Sequence, residues 1–280
     1  MNMYDYLLLD ITREGQVATI TLKRLERHLR EKAETGRPGG AQRADEVARA
    51  LGELRDDRSV RVIVITGKED VFTIPPSSYG HHGNPGSDWD IMNGVTRAVE
   101  ALCTIEKPII AKVNGHAVGF GANLVLGCDF IIAREDAIIA DHHMSAGDLK
   151  IDGKIVGSAD HCMAPGDGGS VFAPLKMPMA MAKEYLMLAR PFTAKELATM
   201  GVVNYAVPAD QLDAKTDEIA QALLRRNAYA LAMTKRVLNK PALAAFNSMH
   251  DAGLAYEFLN FYMQTPQAKE LGKGRGEQEL

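Results

Sequence analysis

Cysteine is scarce in this chain. Three residues of 280, Cys103, Cys128 and Cys162, stand far apart with no paired spacing, which excludes a disulfide framework and Cys-based zinc modules. Cys103 and Cys128 fall within apolar patterns and read as buried thiols of a reducing compartment. Long apolar runs are missing too. None approaches the ~18 residues of a membrane span, and Met1 to Leu9 carries Asp5 and no basic stretch, so no secretory leader is expected. Excess positive charge is absent: a formal net charge of -4 argues against a general nucleic-acid or membrane-surface binder. There is no internal repeat. What is present, 46% hydrophobic and 24% charged residues, is ordinary globular material with enough apolar content for a core. A cytoplasmic protein of one large domain, with or without a small appendage, is expected.

Leu7, Leu9 and Ile11, then Val17 to Leu22, alternate about Glu14-Gly15, which predicts a hairpin. Residues 25–41 are polar and basic and read as a surface loop. Ala44 to Leu54 carries a helical stripe. Val60 to Thr66 (VRVIVIT) is apolar on both faces, the pattern of a parallel strand covered by helices. Residues 68–88 show no clear element, and a long loop after a central strand is where a site is built. Trp89 to Leu102 is helical. Pro108 to Val113 is a buried strand, broken at Asn114-Gly115, and Phe130-Ile131-Ile132 is another. Residues 144–165 read as irregular, with a helix from Gly166-Asp167-Gly168-Gly169 to Leu175 and another over Ala180–Leu188. Thr193 and Glu196 have capping-box spacing for a short helix ended by Gly201. A strand is expected over Val202–Val207, then helices over 210–226, 228–238 and 242–264. The fold class is therefore α/β. The core spans 1–208, with an insertion at 145–164; a helical region covers 209–266, and the tail 267–280 is expected to fray.

The strand-turn-helix around Gly119-Phe120-Gly121 is the chemically suggestive element. A helix N-terminus leaves backbone N–H groups unpaired, and glycines let a ligand approach them closely. Such a turn suits a phosphate or an oxyanion formed during reaction. No pairing among His81-His82, His142-His143 and His161-Cys162 has a zinc spacing, so no metal is expected.

The stretch Asn114-Gly-His-Ala-Val-Gly-Phe-Gly-Ala-Asn-Leu with Cys128-Asp129 resembles the crotonase (enoyl-CoA hydratase/isomerase) superfamily. So do Ile65-Thr-Gly67 with Val71-Phe72, Ala182-Lys-Glu-Tyr-Leu, Phe192-Thr-Ala-Lys-Glu and Gly201-Val-Val-Asn with Val207-Pro. The likeness runs from about residue 5 to residue 265. It implies a spiral of ββα units with a C-terminal helical region that forms a homotrimer or a dimer of trimers. It also implies a small-molecule acyl-CoA substrate, with coenzyme A as part of the substrate and no separate cofactor.

Family chemistry needs two backbone N–H groups for a thioester oxygen that becomes an enolate. The resemblance puts one on Phe120, between Gly119 and Gly121. The other falls on Pro76, which has no N–H, so Ser77 or Ser78 takes its place or that half is absent. The two hydratase glutamates fall on Asn123 and His143. A branch that hydrolyses C–C bonds of cyclic β-diketones (6-oxocamphor hydrolase-like) resembles the site in three positions: His143, Asp167 in Gly166-Asp167-Gly168, and Glu257 once the insertion is allowed for. It has a further histidine where this chain has Phe120. Asp167 would fix the His143 tautomer while the ring activates water. The basic loop with Lys23, Arg24 and Arg27 is where the family meets CoA phosphates. The resemblance thus implies an enoyl-CoA hydratase-like lyase, with a β-diketone C–C hydrolase as alternative and a catalytically degenerate acyl-CoA-binding or scaffold protein as a third reading. Plainer readings stand beside these residues: a packing turn at Gly119–Gly121, a half-buried histidine at 143, a helix cap at Asp167 and a solvated helix face at Glu257.

Overall fold

The computed structural model describes residues 6–23, 39–73, 85–145, 147–151, 153–159 and 162–263. β1 (Leu9–Glu14) and β2 (Val17–Leu22) make the expected hairpin, turned at Gly15 with a φ of 57°. The side chains of β2 alternate between buried and half-buried. α1 (Gly39–Asp56) follows and buries Val47, Leu51 and Leu54 on one stripe. β3 (Val62–Gly67) is buried throughout, as two covered faces require.

From β3 onward the chain repeats one unit. A strand in a large sheet is followed by a short strand in a small sheet, then by a helix. The units are β3, β4 (Val71–Thr73) and α2 (Pro85–Thr104); β5 (Ile109–Val113), β6 (His116–Val118) and α3 (Phe120–Gly127); and β7 (Phe130–Arg134), β8 (Ile138–Ala140) and α4 (Gly169–Lys176). The large sheet has the order β1-β2-β3-β5-β7-β12, with β12 spanning Tyr205–Val207, and is parallel except for β1. In the small sheet β4, β6 and β8 run parallel, and β11 (Phe192–Thr193) pairs with β8 antiparallel. This is the α/β spiral of ββα units that the resemblance implies.

Asn114, at the corner between β5 and β6, joins the two sheets. Its Oδ1 accepts from Gly67 N at 2.9 Å, and its Nδ2 donates to Gly67 O at 3.0 Å and Glu69 O at 2.7 Å. A Cβ on Gly115 would overlap Asp70 O, so the Asn-Gly pair is held by side-chain bonding at one residue and close backbone approach at the next.

Three expectations change. The stretch after His143 contains a hairpin, β9 (Gly147–Ile151) with β10 (Lys154–Ala159). The helix expected from Gly166 starts at Gly169, because Gly168 has a φ of 112° and closes a turn. The strand expected from Val202 is only β12 (Tyr205–Val207), because the N–H groups of Val202 and Val203 both return to Leu197 O, closing the end of α6 (Ala194–Thr199). That helix has the capping box: Thr193 Oγ1 accepts from Glu196 N at 3.1 Å, and Glu196 Oε2 accepts from Thr193 N at 2.8 Å. α5 (Met179–Met187), α7 (Leu212–Leu224), α8 (Ala228–Leu238) and α9 (Lys240–Met263) complete the described elements. Leu254 of α9 belongs to the main core, so the last helix reaches into the α/β body. No helix among the described residues is long and apolar enough to cross a membrane.

Candidate active site

The N-terminus of α3 forms one rim of the site. Gly119 has a φ of 63° and a ψ of -134°, and its N–H donates to Ala140 O of β8 at 2.9 Å. Its own carbonyl accepts from Ala122 N at 2.9 Å and Asn123 N at 3.2 Å. The N–H groups of Phe120 and Gly121 precede the first helical bond and have no acceptor within α3. A Cβ on Gly121 would overlap the Thr73 hydroxyl at the end of β4, so close packing explains this glycine. Pro76, Ser77 and Ser78 lie outside the described residues, as do Arg24 and Arg27. Lys23 is described: its ammonium pairs with Asp10 at 2.9 Å and reaches Tyr6 O at 3.5 Å.

The opposite rim is charged and buried. Asn123 of α3, His143 after β8, Asp167 in the turn before α4 and Glu257 of α9 converge, each no more than 7% exposed. Glu257 is therefore not on a solvated helix face. The turn meets α9 closely, since a Cβ on Gly166 would stand 2.6 Å from Gly253 O and 2.7 Å from Glu257 Oε2. Gly166 N donates to that Oε2 at 2.9 Å, and Ala164 N donates to Asn260 Oδ1 at 2.9 Å. Gly253, Glu257 and Asn260 line one face of α9, and that face docks the turn.

Asp141 is the member that the sequence reading passes over. Its Oδ1 lies 2.7 Å from His143 Nδ1 and accepts from His143 N at 3.2 Å. Asp167 Oδ2 is 3.4 Å and Glu257 Oε1 is 3.9 Å from the other ring nitrogen, Nε2. The expected tautomer-fixing contact from Asp167 is thus made by Asp141. The Asn123 Nδ2 donates to Asp141 Oδ2 at 3.1 Å and also to Asp167 Oδ1. The signal was present as the Asp-x-His spacing, but joining those side chains takes a left-handed residue between them, and His142 has a φ of 69°.

Burial alone would push the His143 imidazole down. The charges of Asp141 and Asp167, the bond from Asp141 and the charge of Glu257 outweigh it and hold the ring well above the ordinary histidine range. Burial would likewise raise Asp141, but the His143 charge and the bonds from His143 and Asn123 carry it below the usual value. Burial raises Asp167 to about 6 and Glu257 to about 8, the His143 charge opposing both. The shifts favour the charged forms of His143 and Asp141 and the protonated form of Glu257, a set that offers both a proton donor and a proton acceptor. Donor atoms of Asp141, His143 and Asp167 lie within 4.8 Å of one another, close enough for a cation. Hydrogen bonds within the cluster already occupy Nδ1 and both of Asp141's oxygens.

The enoyl-CoA hydratase/isomerase family model matches residues 13–275. Carnitinyl-CoA dehydratase of Salmonella enteritidis is 29% identical over 82% of this chain and 79% of its own length. Among solved structures, an enoyl-CoA hydratase/isomerase from Mycobacterium paratuberculosis superposes with a TM-score of 0.77 at 25% identity, covering 97% of this chain and 100% of that one. A β-diketone hydrolase from the cyanobacterium Anabaena, solved with (S)-3-oxocyclohexyl acetic acid bound, shares the fold with a TM-score of 0.74 at 23% identity, covering 91% and 94%. With the spiral of ββα units and a match over nearly its whole length, the chain belongs to the crotonase superfamily, in its enoyl-CoA hydratase/isomerase family.

Proposed function

We propose that this family member adds water to, or removes it from, an acyl-CoA thioester through an enolate, with a histidine-carboxylate cluster in place of two glutamates. The observation that carries this reading is the convergence of His143, Asp167 and Glu257 in one buried cluster, with both carboxyl groups within 3.9 Å of the imidazole Nε2. Coenzyme A enters only as part of the substrate. The Phe120 N–H, with no helical acceptor, stabilises the thioester oxygen as it gains charge. The second donor, at Ser77 or Ser78 in place of Pro76 or absent, falls outside the described residues. During hydration, water adds to the β carbon while the Asp167 carboxylate, beside the imidazolium, takes its proton. The α carbon takes a proton from Glu257, which holds one up to a pH of about 8. Asn123 has no proton to give and separates the Asp141 and Asp167 carboxylates through its amide. The name of the Salmonella relative supports a dehydratase-type reaction.

The same three residues favour a second reading, hydrolysis of a C–C bond in a cyclic β-diketone, because that branch places histidine, aspartate and glutamate at these positions. The exposed apolar side chains of α8 and α9, Tyr229, Val237, Leu238, Tyr256 and Leu259, support assembly as a homotrimer or dimer of trimers. A screen of enoyl-CoA thioesters and cyclic β-diketones, read by mass, separates the readings. Gain of 18 Da on a thioester is expected. Ring opening of diketones with no change in any thioester would replace the first reading by the second, and turnover of neither class would leave the catalytically degenerate one.

A further inference from the structure

We propose that Asp141 is the positioning residue of this cluster: it holds the His143 ring through Nδ1, so that Nε2 is the atom turned toward Asp167 and Glu257. The distances order the three carboxylates. Asp141 Oδ1 lies 2.7 Å from Nδ1, a short charge-assisted hydrogen bond. Asp167 and Glu257, at 3.4 and 3.9 Å from Nε2, stand outside ordinary hydrogen-bond distance. A group that grips the ring belongs at the first distance. Groups that exchange a proton through a substrate or a water belong at the others.

Asp141 is itself held on every side. Its Oδ1 takes the His143 N–H as well as Nδ1, and its Oδ2 takes the Asn123 amide. Its side chain has no exposure, so these bonds are not diluted by solvent. Two backbone features exist around it. His142 adopts a left-handed φ of 69°, which brings residues 141 and 143 to bond with each other, a backbone state that a non-glycine residue holds only at a cost in strain. His142 in turn is tied through Nε2 to Gly147 O at 3.2 Å. The second feature is Gly169, the first residue of α4, where a Cβ would stand 2.5 Å from Asp141 Oδ2. Any larger residue at 169 would push the carboxylate off its place. Both features favour this location for Asp141, and neither is needed for Asp167.

The charges acting on the ring come from Asp141 after β8, Asp167 before α4 and Glu257 on α9; His142 stands in the field of the ring, and the buried, uncharged Tyr185 of α5 in the field of both aspartates. Asp141 acts on the reaction only through His143. Its importance for turnover rests on the proposed function, in which the His143 imidazolium stands beside the Asp167 carboxylate that takes the water's proton, whereas its grip on the ring can be read without any substrate.

The test is nitrogen-15 histidine NMR of the full chain, with the His143 signals identified by their loss in His143→Gln. A low-field, slowly exchanging proton on Nδ1 is expected in the wild type, retained in Asp167→Asn and lost or rapidly exchanging in Asp141→Ala. Asp141→Asn should also weaken the ring's hold on its proton at least tenfold, more than Asp167→Asn does. With any substrate found, Asp141→Asn should lower kcat and leave KM within twofold. Absence of a protected Nδ1 proton in the wild type overturns the proposal, a result that does not depend on any variant folding. So does its loss in Asp167→Asn with retention in Asp141→Ala. If the NMR result holds and His143→Gln keeps full turnover, the acid-base reading fails and the positioning stands.

Discussion

The two rims of the site are built by different means. At Gly119–Gly121 the candidate groups are backbone N–H groups at a helix start, neutral and formed by three consecutive residues. At the other rim four ionisable side chains from three separate segments meet, and none of them reaches solvent by more than 7%. The first rim depends on backbone shape, which leaves the side chain free at Phe120 but requires glycine at 119 and 121. The second works only if every partner is present, because an unpaired buried charge is costly. The first is where the proposed oxyanion would be held; the second is where the proposed proton transfers would take place.

This contrast can be broken at either rim. The largest expected effect is at the backbone rim. Phe120 occupies the first position of α3, which accepts proline without helix strain. Phe120→Pro removes the N–H and should lower kcat by about 100- to 1,000-fold, while Phe120→Ala, which keeps the donor, should lose far less. Equal losses would remove the N–H from the account. Next is Gly121→Ala, whose methyl would overlap Thr73. It should cost on the order of 3 kcal/mol of stability by overpacking, read as a fall in Tm, and an unchanged Tm would contradict the close approach.

At the charged rim the effect is smaller and depends on pH. Glu257 holds its proton to about 8 when folded against an ordinary value of 4.5, so the folded state binds more protons across that window and loses stability as pH rises through it. Asp167, raised to about 6, acts in the same direction. Glu257→Gln still accepts from Gly166 N without titrating, so its Tm should fall less than that of the wild type between pH 5 and 8, by about 2–4 °C for each kcal/mol relieved. Parallel profiles would mean that Glu257 is charged in the fold. The smallest effect is expected at Lys23, whose surface pair with Asp10 is worth at most about 1 kcal/mol. Lys23→Ala should leave kcat unchanged and raise KM for a CoA thioester only modestly; no rise would remove it from the CoA contact.

What was legible in the sequence follows the same division. Local patterns carry the Glu14-Gly15 hairpin, the doubly buried β3, the Thr193 capping box and the turn at Gly119, because each is defined by neighbours along the chain. β4, β6 and β8 are three residues each, too short for any periodicity to register. The β9–β10 hairpin was hidden because its first strand, Gly-Asp-Leu-Lys-Ile, is largely exposed and shows no apolar face to read. In the site, the resemblance brought His143, Asp167 and Glu257 into view one position at a time. Asp141 was missed because its bond to His143 needs a left-handed His142, a backbone state that no side-chain pattern announces.

The central claim is that a proton moves between this cluster and the α carbon of an acyl-CoA. Exchange of that carbon's hydrogen with deuterium oxide tests it directly, with wild type and Glu257→Gln compared on the thioester that the screen identifies. The account predicts deuterium in the thioester formed by the wild type and a loss of about 100- to 10,000-fold in the variant with its fold intact. Full exchange in Glu257→Gln, or turnover of the thioester by the wild type with no deuterium at the α carbon, would contradict it.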